Sequence, residues 1–374
     1  MCPLIEGTGL KRYMNDFIKE FEKQTSKMDG VSTYNQGPKF WIDSGNIIIN
    51  KIISGKYNGG YAQGRLACLA GHSGAGKSFL AANAMASAQK NNDAGILLVD
   101  SENALDSVYL SKLGVDTSAS NFLYRGVKSI ADTSKIISAF IKSYRSSETS
   151  DTFLILIDSI DMLMTESMLK TYDEGDIGSD QGQHAKQIKR MLATYMHDIK
   201  DLNVVMLCTK QPYKEQDPIK ARSNPWVLTE SSKFPFSQIS MLTKLILKDK
   251  KTNELNGITL KVFGEKTRFT RPFQQCKIEV PYNEGMDRMS GLLDAAVSLN
   301  IVERNKGWYS YNSEKFQESN FSKFQDKILE EVLLKEEDFL NVEITEKAAM
   351  DEISLSERRL ENLKAKELKE GIEE

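Results

Sequence analysis

A glycine-rich segment early in the chain, Gly71-His72-Ser73-Gly74-Ala75-Gly76-Lys77-Ser78, fits the pattern G-x-x-x-x-G-K-[ST]. The backbone N–H groups of such a loop, together with the N-terminus of a following helix, can hold phosphate oxygens. Lys77 can reach the β- and γ-phosphates, and the Ser78 hydroxyl can ligate Mg²⁺. With Phe79 as the residue that follows, the segment predicts a site for a nucleoside triphosphate and Mg²⁺.

Two carboxylates follow this loop at positions suited to hydrolysis. Glu102 comes just past the apolar run 96–99, where it could orient an attacking water. Asp158 ends the apolar run 153–157, a position from which a carboxylate holds Mg²⁺ directly or through water. An apolar strand ending in Asp is also a common way to cap a helix, so the metal role of Asp158 depends on the neighbouring phosphate loop.

The elements that must position these groups alternate along residues 64–280. An apolar run, 66–70, precedes the phosphate loop, and a helix-forming run, 79–90, follows it. Further strands are predicted at 95–100, 121–124, 152–158 and 204–208, with helices over 104–113, 132–146 and 184–200. Nearly continuous apolar strands between helices favour an α/β fold with a mostly parallel sheet covered on both faces. Strand-like runs at 242–247, 258–263 and 276–280 predict an antiparallel extension.

The composition is that of an ordinary globular protein, with 40% hydrophobic and 27% charged residues. No apolar run approaches the roughly 20 residues that span a membrane. The first residues lack the basic and apolar regions of a signal peptide. Four cysteines, Cys2, Cys68, Cys208 and Cys276, show no C-x-x-C spacing. We therefore expect a cytoplasmic protein with reduced thiols and no membrane partner.

The net charge of −3 is unevenly distributed. Residues 330–374 contain 15 acidic and 7 basic residues, so the rest of the chain is mildly basic. This distribution is compatible with a nucleic-acid partner and with an acidic tail that competes for the same surface. A solvated tail that only maintains solubility explains the composition equally well.

Four regions are predicted. Residues 1–44 contain a helix over 10–24 and a linker, and residues 45–284 the α/β core. Residues 285–335 form a small, mainly helical domain with an insertion at 307–311, and residues 336–374 the acidic tail. The helix 10–24 has an apolar stripe that includes Phe17 and Phe21. That stripe can pack on the protein's own core or on a neighbouring subunit, and the sequence does not choose between them.

Two polar segments have side chains suited to single-stranded nucleic acid. Phosphates attract cations, and bases stack on aromatic rings. The first segment, 173–190, contains glycines followed by Lys186, Lys189 and Arg190. The second, 212–235, offers Lys214, Lys220, Arg222, Trp226 and Lys233. Two solvated surface loops remain an alternative interpretation.

Residues 100–116, Asp-Ser-Glu-Asn-Ala-Leu-Asp-Ser-Val-Tyr-Leu-Ser-Lys-Leu-Gly-Val-Asp, resemble the corresponding stretch of RecA recombinases. The resemblance implies that Glu102 activates the hydrolytic water and that Asp106 and Tyr109 contact adenine. Residues 203–211 resemble the family's strand that ends in a γ-phosphate-sensing glutamine, here Gln211. Residues 266–273 resemble a segment with two basic residues, Lys266 and Arg268, that reach the neighbouring subunit's ATP.

The resemblance covers roughly residues 45–311. It is closest to the phage UvsX-like branch, because the residues at 58–64 and 290–294 are similar to those of that branch. Three departures stand out. Lys210 occupies the position where the family usually has Asn, Pro212 follows Gln211, and the second loop has Pro225-Trp226 in place of a glycine cluster.

The family resemblance implies an ATP-dependent recombinase with Mg²⁺ as cofactor. Such a protein forms helical filaments of its own copies on single-stranded DNA, pairs that strand with homologous duplex DNA, and hydrolyses ATP under DNA stimulation. A loader or mediator and a single-strand-binding protein are the further partners implied, in the host cytoplasm if the chain is phage-encoded.

Other members of the same broad fold are alternatives. A ring helicase or DNA-translocating ATPase shares the phosphate loop and the glutamate, but the 44 residues before the core are few for its usual extra domain. A small-molecule kinase would need only the phosphate loop, and the basic pair Lys266 and Arg268 argues against it. A filament-forming paralogue that does not hydrolyse ATP is disfavoured by the presence of Lys77, Glu102 and Asp158.

Overall fold

The apolar runs of the sequence form the central strands of an eight-stranded sheet. The computed structural model describes residues 8–25, 37–175, 182–218, 226–248, 254–282 and 284–340. The strands are β1 (Trp41–Ile42), β2 (Tyr61–Ala62), β3 (Leu66–Gly71), β4 (Gly95–Asp100), β5 (Phe122–Gly126), β6 (Phe153–Asp158), β7 (Val204–Lys210), β8 (Tyr213–Lys214), β9 (Trp226–Val227), β10 (Gln238–Lys248), β11 (Leu255–Thr267), β12 (Gln275–Pro281), β13 (Glu303–Asn305), β14 (Trp308–Tyr311) and β15 (Glu314–Phe316).

The helices are α1 (Thr8–Thr25), α2 (Ile47–Ser54), α3 (Lys77–Asn92), α4 (Ser107–Lys112), α5 (Ile130–Ser146), α6 (Glu166–Asp173), α7 (Gln183–Asp198), α8 (Glu230–Lys233), α9 (Leu292–Ser298) and α10 (Gln325–Leu340). The five helices with predicted bounds (α1, α3, α4, α5 and α7) begin and end within a few residues of those positions, whereas α2, α6 and α8 were not predicted. Short 3₁₀ turns lie at Ile160–Met162 and Glu318–Lys323. Across the described ranges, no helix is both long and apolar enough to cross a membrane.

The chain divides into two compact units, Met1–Phe40 and Trp41–Glu374. The first unit contains α1, in which the rings of Phe17 and Phe21 stack with centroids 6.1 Å apart. This pair lies on the apolar stripe that the sequence predicts.

The large sheet of the second unit has the strand order β12-β11-β10-β3-β7-β6-β4-β5. The six strands from β10 to β5 run parallel, and β10, β11 and β12 pair antiparallel, which confirms both the parallel core and its antiparallel extension. Every residue of β3, β4, β6 and β7 except Phe153 is buried, so both faces of the central sheet are covered. Side chains of α5 and α7 form one hydrophobic cluster with the sheet, and α3 packs along the same central strands.

This topology brings the chemistry together. The phosphate loop follows β3, Glu102 follows β4, Asp158 ends β6, and Gln211 follows β7. These four strands are adjacent and parallel, so their carboxyl ends meet at one edge of the sheet, where open α/β sheets bind ligands.

The region after residue 285 is less helical than the sequence suggested. Strands β13, β14 and β15 form a three-stranded antiparallel sheet between α9 and α10. The non-helical stretch, 303–316, is therefore wider than the predicted insertion at 307–311. Their side chains share a hydrophobic cluster with Ile47 and Tyr57. The expected boundary at 335/336 falls inside α10, where Glu336 forms an ion pair of 2.9 Å with Lys51. The remainder of the acidic tail, 341–374, lies outside the described residues.

Candidate functional site

The phosphate loop joins β3 to α3 and depends on its glycines. A Cβ at Gly71 would lie 2.7 Å from the Leu242 carbonyl oxygen, so a side chain there would collide with the neighbouring strand. Gly76 begins α3 with φ +96°, a conformation that favours glycine, and no side chain in the described ranges caps its first N–H groups. These N–H groups are therefore available to an anion.

Lys77 is held at the floor of this loop. Its Nζ donates to the carbonyl oxygens of Gly71 (2.9 Å) and His72 (3.2 Å), and the side chain is buried. Beside it, the His72 ring packs against Trp226 with centroids 5.7 Å apart. A buried cation among loop carbonyls can exchange these partners for phosphate oxygens when a nucleotide binds.

Asp158 has the properties expected of a metal ligand. It is almost completely buried, its Oδ1 accepts a hydrogen bond from the Thr209 hydroxyl, and its Oδ2 has no hydrogen-bond partner among the described residues. Burial raises the pKa of this carboxyl, against the opposing effects of Thr209 and Ser78. The Ser78 hydroxyl faces the carboxylate without completing a normal hydrogen bond to Oδ2.

An orphaned, buried carboxylate oxygen beside a hydroxyl is a donor set that fits Mg²⁺, which prefers oxygen ligands. Ser78 and Asp158 would hold the ion. When bound, Mg²⁺ would neutralise charge on the β- and γ-phosphates.

Glu102 is placed by a turn that Asp100 and Ser101 stabilise. Asp100 is buried, and its Oδ1 accepts hydrogen bonds from the backbone N–H groups of Glu102 (2.9 Å) and Asn103 (2.8 Å). The Ser101 hydroxyl donates to the Ser159 carbonyl (2.7 Å) and accepts from the Ser159 N–H (2.9 Å). The turn after β4 is thereby fastened to the turn after β6, and the Glu102 side chain is left exposed towards the phosphate loop.

Glu102, Gln211 and the phosphate loop line one cavity of about 400 Å³. Tyr109 lines it too and is half-buried, and burial together with the charge of Asp158 raises the pKa of its hydroxyl. Asp106 instead caps α4, accepting a hydrogen bond from the Tyr109 N–H at 2.7 Å, and faces an adjoining cavity of about 440 Å³. Asp106 lies beside the first cavity, which brings together the following predicted residues: Ser73, Gly74, Gly76, Lys77, Ser78, Phe79, Glu102, Tyr109 and Gln211.

Sequence reasoning missed four residues of this cavity, the polar Lys244 and Tyr282 and the apolar Ile258 and Val280. Strand β10 runs beside β3 with Leu242 opposite Gly71, and it continues where β3 turns into the loop. Two residues further on, Lys244 Nζ comes within 3.2 Å of the position that a Cβ on Gly74 would occupy. The only sequence signal for Lys244 is a single charge within the apolar run 242–247.

Lys266 and Arg268, the edge cations, lie at the opposite edge of the sheet. The backbone N–H of Arg268 donates to the Ser237 carbonyl (3.1 Å), and the Ser237 N–H donates to the carbonyl of Leu66 at the start of β3. Lys266 Nζ donates to the carbonyl of Lys233 (2.8 Å), and burial together with the Arg268 charge lowers its pKa. The length of β3, roughly 16 Å, separates this edge from the phosphate loop, so the edge cations do not line the cavity.

The first predicted DNA segment presents a basic face. Lys186, Lys189 and Arg190, the helix patch, are exposed on α7, whose opposite face buries Ile188 and Leu192. Residues three and four apart share a helix face, so the three cations are neighbours. Residues 176–181 of this segment lie outside the described residues.

The second DNA segment is only partly described, because Lys220 and Arg222 lie outside the described residues. Lys214 is exposed on β8. Lys233 forms ion pairs with Glu265 (2.7 Å) and Glu230 (3.0 Å); burial lowers its pKa, and these carboxylates raise it by more. Trp226 is half-buried against His72 and the main hydrophobic cluster, so one part of its ring is already occupied.

Comparison with known proteins identifies the family. Residues 12–287 match the RecA N-terminal domain. The chain is 30% identical to Protein RecA of Clostridioides difficile (strain 630) over 271 residues, 71% of this chain and 73% of the relative. It is 30% identical to Protein RecA of Mesoplasma florum over 308 residues, 80% of this chain and 85% of the relative. It is also 28% identical to Protein RecA of Acholeplasma laidlawii, over 80% of this chain and 86% of the relative. This chain belongs to the RecA family.

Proposed function

We propose that this protein is an ATP-dependent recombinase of the phage UvsX-like type. It assembles into helical filaments on single-stranded DNA, pairs that strand with homologous duplex DNA, exchanges strands, and hydrolyses ATP when DNA is bound. A mediator and a single-strand-binding protein would assist it. The observation that carries the proposal is the division of the expected ATP groups between two opposite edges of the sheet.

At the first edge, each described side chain has a chemical task. The backbone N–H groups of the phosphate loop and Lys77 bind the phosphates. Glu102 accepts a proton from, and orients, the water that attacks the γ-phosphorus. Gln211, across the same cavity, responds to the presence of the γ-phosphate.

At the second edge, the edge cations have no nucleotide of their own to contact. In a head-to-tail assembly, such an edge meets the cavity of the next subunit. Lys266 and Arg268 would then stabilise the charge that develops on the transferred phosphoryl group, as an arginine supplied in trans does in other phosphate-transferring proteins. Because hydrolysis needs both edges, the assembly that DNA promotes would switch it on.

The proposal is tested by measuring ATP hydrolysis with and without single-stranded DNA and by imaging the same mixtures in negative stain. Strong stimulation by DNA together with helical filaments is expected. Closed rings, or hydrolysis that DNA does not change, would instead favour a ring helicase or translocating ATPase.

A further inference from the structure

A buried ion pair lies directly beneath the predicted γ-phosphate sensor. Lys210, the last residue of β7, pairs with Asp161 of the 3₁₀ turn that follows β6. Only 6% of the Lys210 side chain and 20% of the Asp161 side chain are exposed. Lys210 is also the position at which the sequence departs from the Asn usual in the family.

Asp161 uses both of its carboxylate oxygens. Oδ1 accepts a hydrogen bond from Lys210 Nζ, and Oδ2 accepts one of 2.6 Å from the backbone N–H of Gln211. A hydrogen bond to a charged acceptor is stronger than one between neutral groups. Asp161 is three residues from Asp158, so a single carboxylate fixes the start of the Gln211 segment relative to the metal-binding turn.

The same pair lies at the base of both DNA segments. Lys210 Nζ is 5.9 Å from the centroid of the Tyr213 ring, on the strand that opens the second segment. A small cavity of about 60 Å³ is lined by Lys210, Asp161 and Tyr213, by His184 and Lys189 of α7, and by Thr229 and Ser232 at the end of the second segment. Residues of both DNA segments therefore lie against the pair, and the second segment also follows Gln211 directly in the chain.

We propose that Asp161 and Lys210 are positioning residues for the sensor: the pair holds Gln211 in the orientation that the γ-phosphate requires and connects it to the roots of both DNA segments. This inference rests on the proposed function and deepens it. Removing one partner leaves the other buried without its counterion, and such a group relaxes by moving. The Gln211 backbone, which depends on Asp161, moves with it.

The test compares Asp161→Ala, Asp161→Asn and Lys210→Met with the wild type. Measured quantities are kcat and KM for ATP with single-stranded DNA, the Kd for ADP, and the melting temperature. For Asp161→Ala and Lys210→Met we expect kcat to fall about ten- to a hundredfold, because small misplacements of a catalytic group have effects of that size. KM for ATP and Kd for ADP should stay within about twofold, because the phosphate loop still binds both nucleotides.

Asp161→Asn keeps an acceptor for the Gln211 N–H and loses only the charge, so its kcat should lie between those of the wild type and Asp161→Ala. The matched control is Glu336→Ala. Glu336 likewise pairs with a lysine, Lys51, and accepts a backbone N–H, that of Tyr57, but it lies far along the chain in α10. This control should lower the melting temperature and leave kcat unchanged.

A folded Asp161→Ala protein with wild-type kcat overturns the inference, as does an equal loss of kcat and ADP affinity, which indicates a merely structural pair. If Asp161→Ala does not fold, Lys210→Met and Asp161→Asn decide by the same criteria. A wild type that hydrolyses ATP regardless of DNA contradicts the proposed function, while the ratio of variant to wild-type kcat still tests the pair.

Discussion

Replacing Asp158 by asparagine should raise the free energy of unfolding of the ligand-free protein and reduce the stabilisation that Mg²⁺ and ATP provide. In the wild type, Asp158 Oδ2 is buried without a hydrogen-bond partner among the described residues, and burial raises the pKa of the carboxyl. The neutral amide has nearly the same shape and keeps an oxygen to accept the Thr209 hydroxyl. It removes the buried charge, and with it the oxygen that would coordinate Mg²⁺.

An unsatisfied buried polar group costs about 1–3 kcal/mol, and more when it is charged. The variant removes this cost because the charge is gone and the new Nδ2 can donate to the Ser78 hydroxyl, which faces it. We therefore expect the free energy of unfolding of Asp158→Asn at pH 7 to exceed that of the wild type by about 1–3 kcal/mol. A carboxyl whose pKa is raised on folding stabilises the protein fully only below its unfolded pKa of about 3.9, and this contribution is lost as the pH rises through the folded value. The difference between variant and wild type should therefore disappear on acidification towards pH 4.

The assay is chemical denaturation with and without Mg²⁺ and ATP. Ligand should stabilise the wild type by RT ln(1 + [L]/Kd) and stabilise the variant much less. The wild type should therefore be the more stable protein with ligand, and the variant the more stable one without it. Asp100→Asn is the matched control, because Asp100 is equally buried at the same edge but bonds to Glu102 and Asn103. That control should be destabilised in every condition. An Asp158→Asn protein less stable than the wild type without ligand would refute the reasoning.

Four further outcomes are expected. Changing the helix patch to alanine should weaken single-strand binding and reduce the slope of log K against log salt by up to about 0.7 per lost phosphate contact, whereas Lys90, Lys112 and Lys315 changed together should not. Changing the edge cations to alanine should abolish DNA-stimulated hydrolysis and leave ADP binding at low protein concentration unaltered; a loss of ADP binding would place them in their own subunit's cavity. Lys244→Ala should weaken ATP binding about fivefold, the effect of one exposed charge-assisted contact of about 1 kcal/mol, as measured by titration calorimetry. Removing residues 341–374 should strengthen duplex-DNA binding at low salt, and equal binding would leave the tail with only a solubility role.

The sequence predicted those site residues that a single local segment is enough to identify. The phosphate loop, Glu102, Asp158 and Gln211 each follow an apolar strand, and parallel strands bring their ends to one edge. By contrast, Lys244 reaches the cavity only because β10 returns beside β3 in a particular register, a pairing of residues about 170 positions apart. Sequence periodicity contains no information on such pairings.

Other differences have similar physical causes. The strands of 303–316 are only three or four residues long, too short for alternation to be visible, and they turn at Lys306-Gly307 and Asn312-Ser313, where both residues of each pair have positive φ. Asp106 comes directly before α4 and caps it, a structural role that the sequence analysis did not predict; its contact with adenine stays a prediction. The partner of Lys210 could not be found from the sequence, because Asp161 is 49 residues away, in the turn that follows a different strand, β6.

The contact between His72 and Trp226 makes the site observable by light. The chain has three tryptophans, and the other two, Trp41 and Trp308, lie on strands away from the phosphate loop. An indole whose neighbour is the imidazole of a nucleotide-binding loop changes its emission when that ring moves or a polyanion arrives beside it. Intrinsic fluorescence of a protein in which Trp41 and Trp308 are phenylalanine would therefore follow ATP binding, hydrolysis and release in real time, without any attached dye.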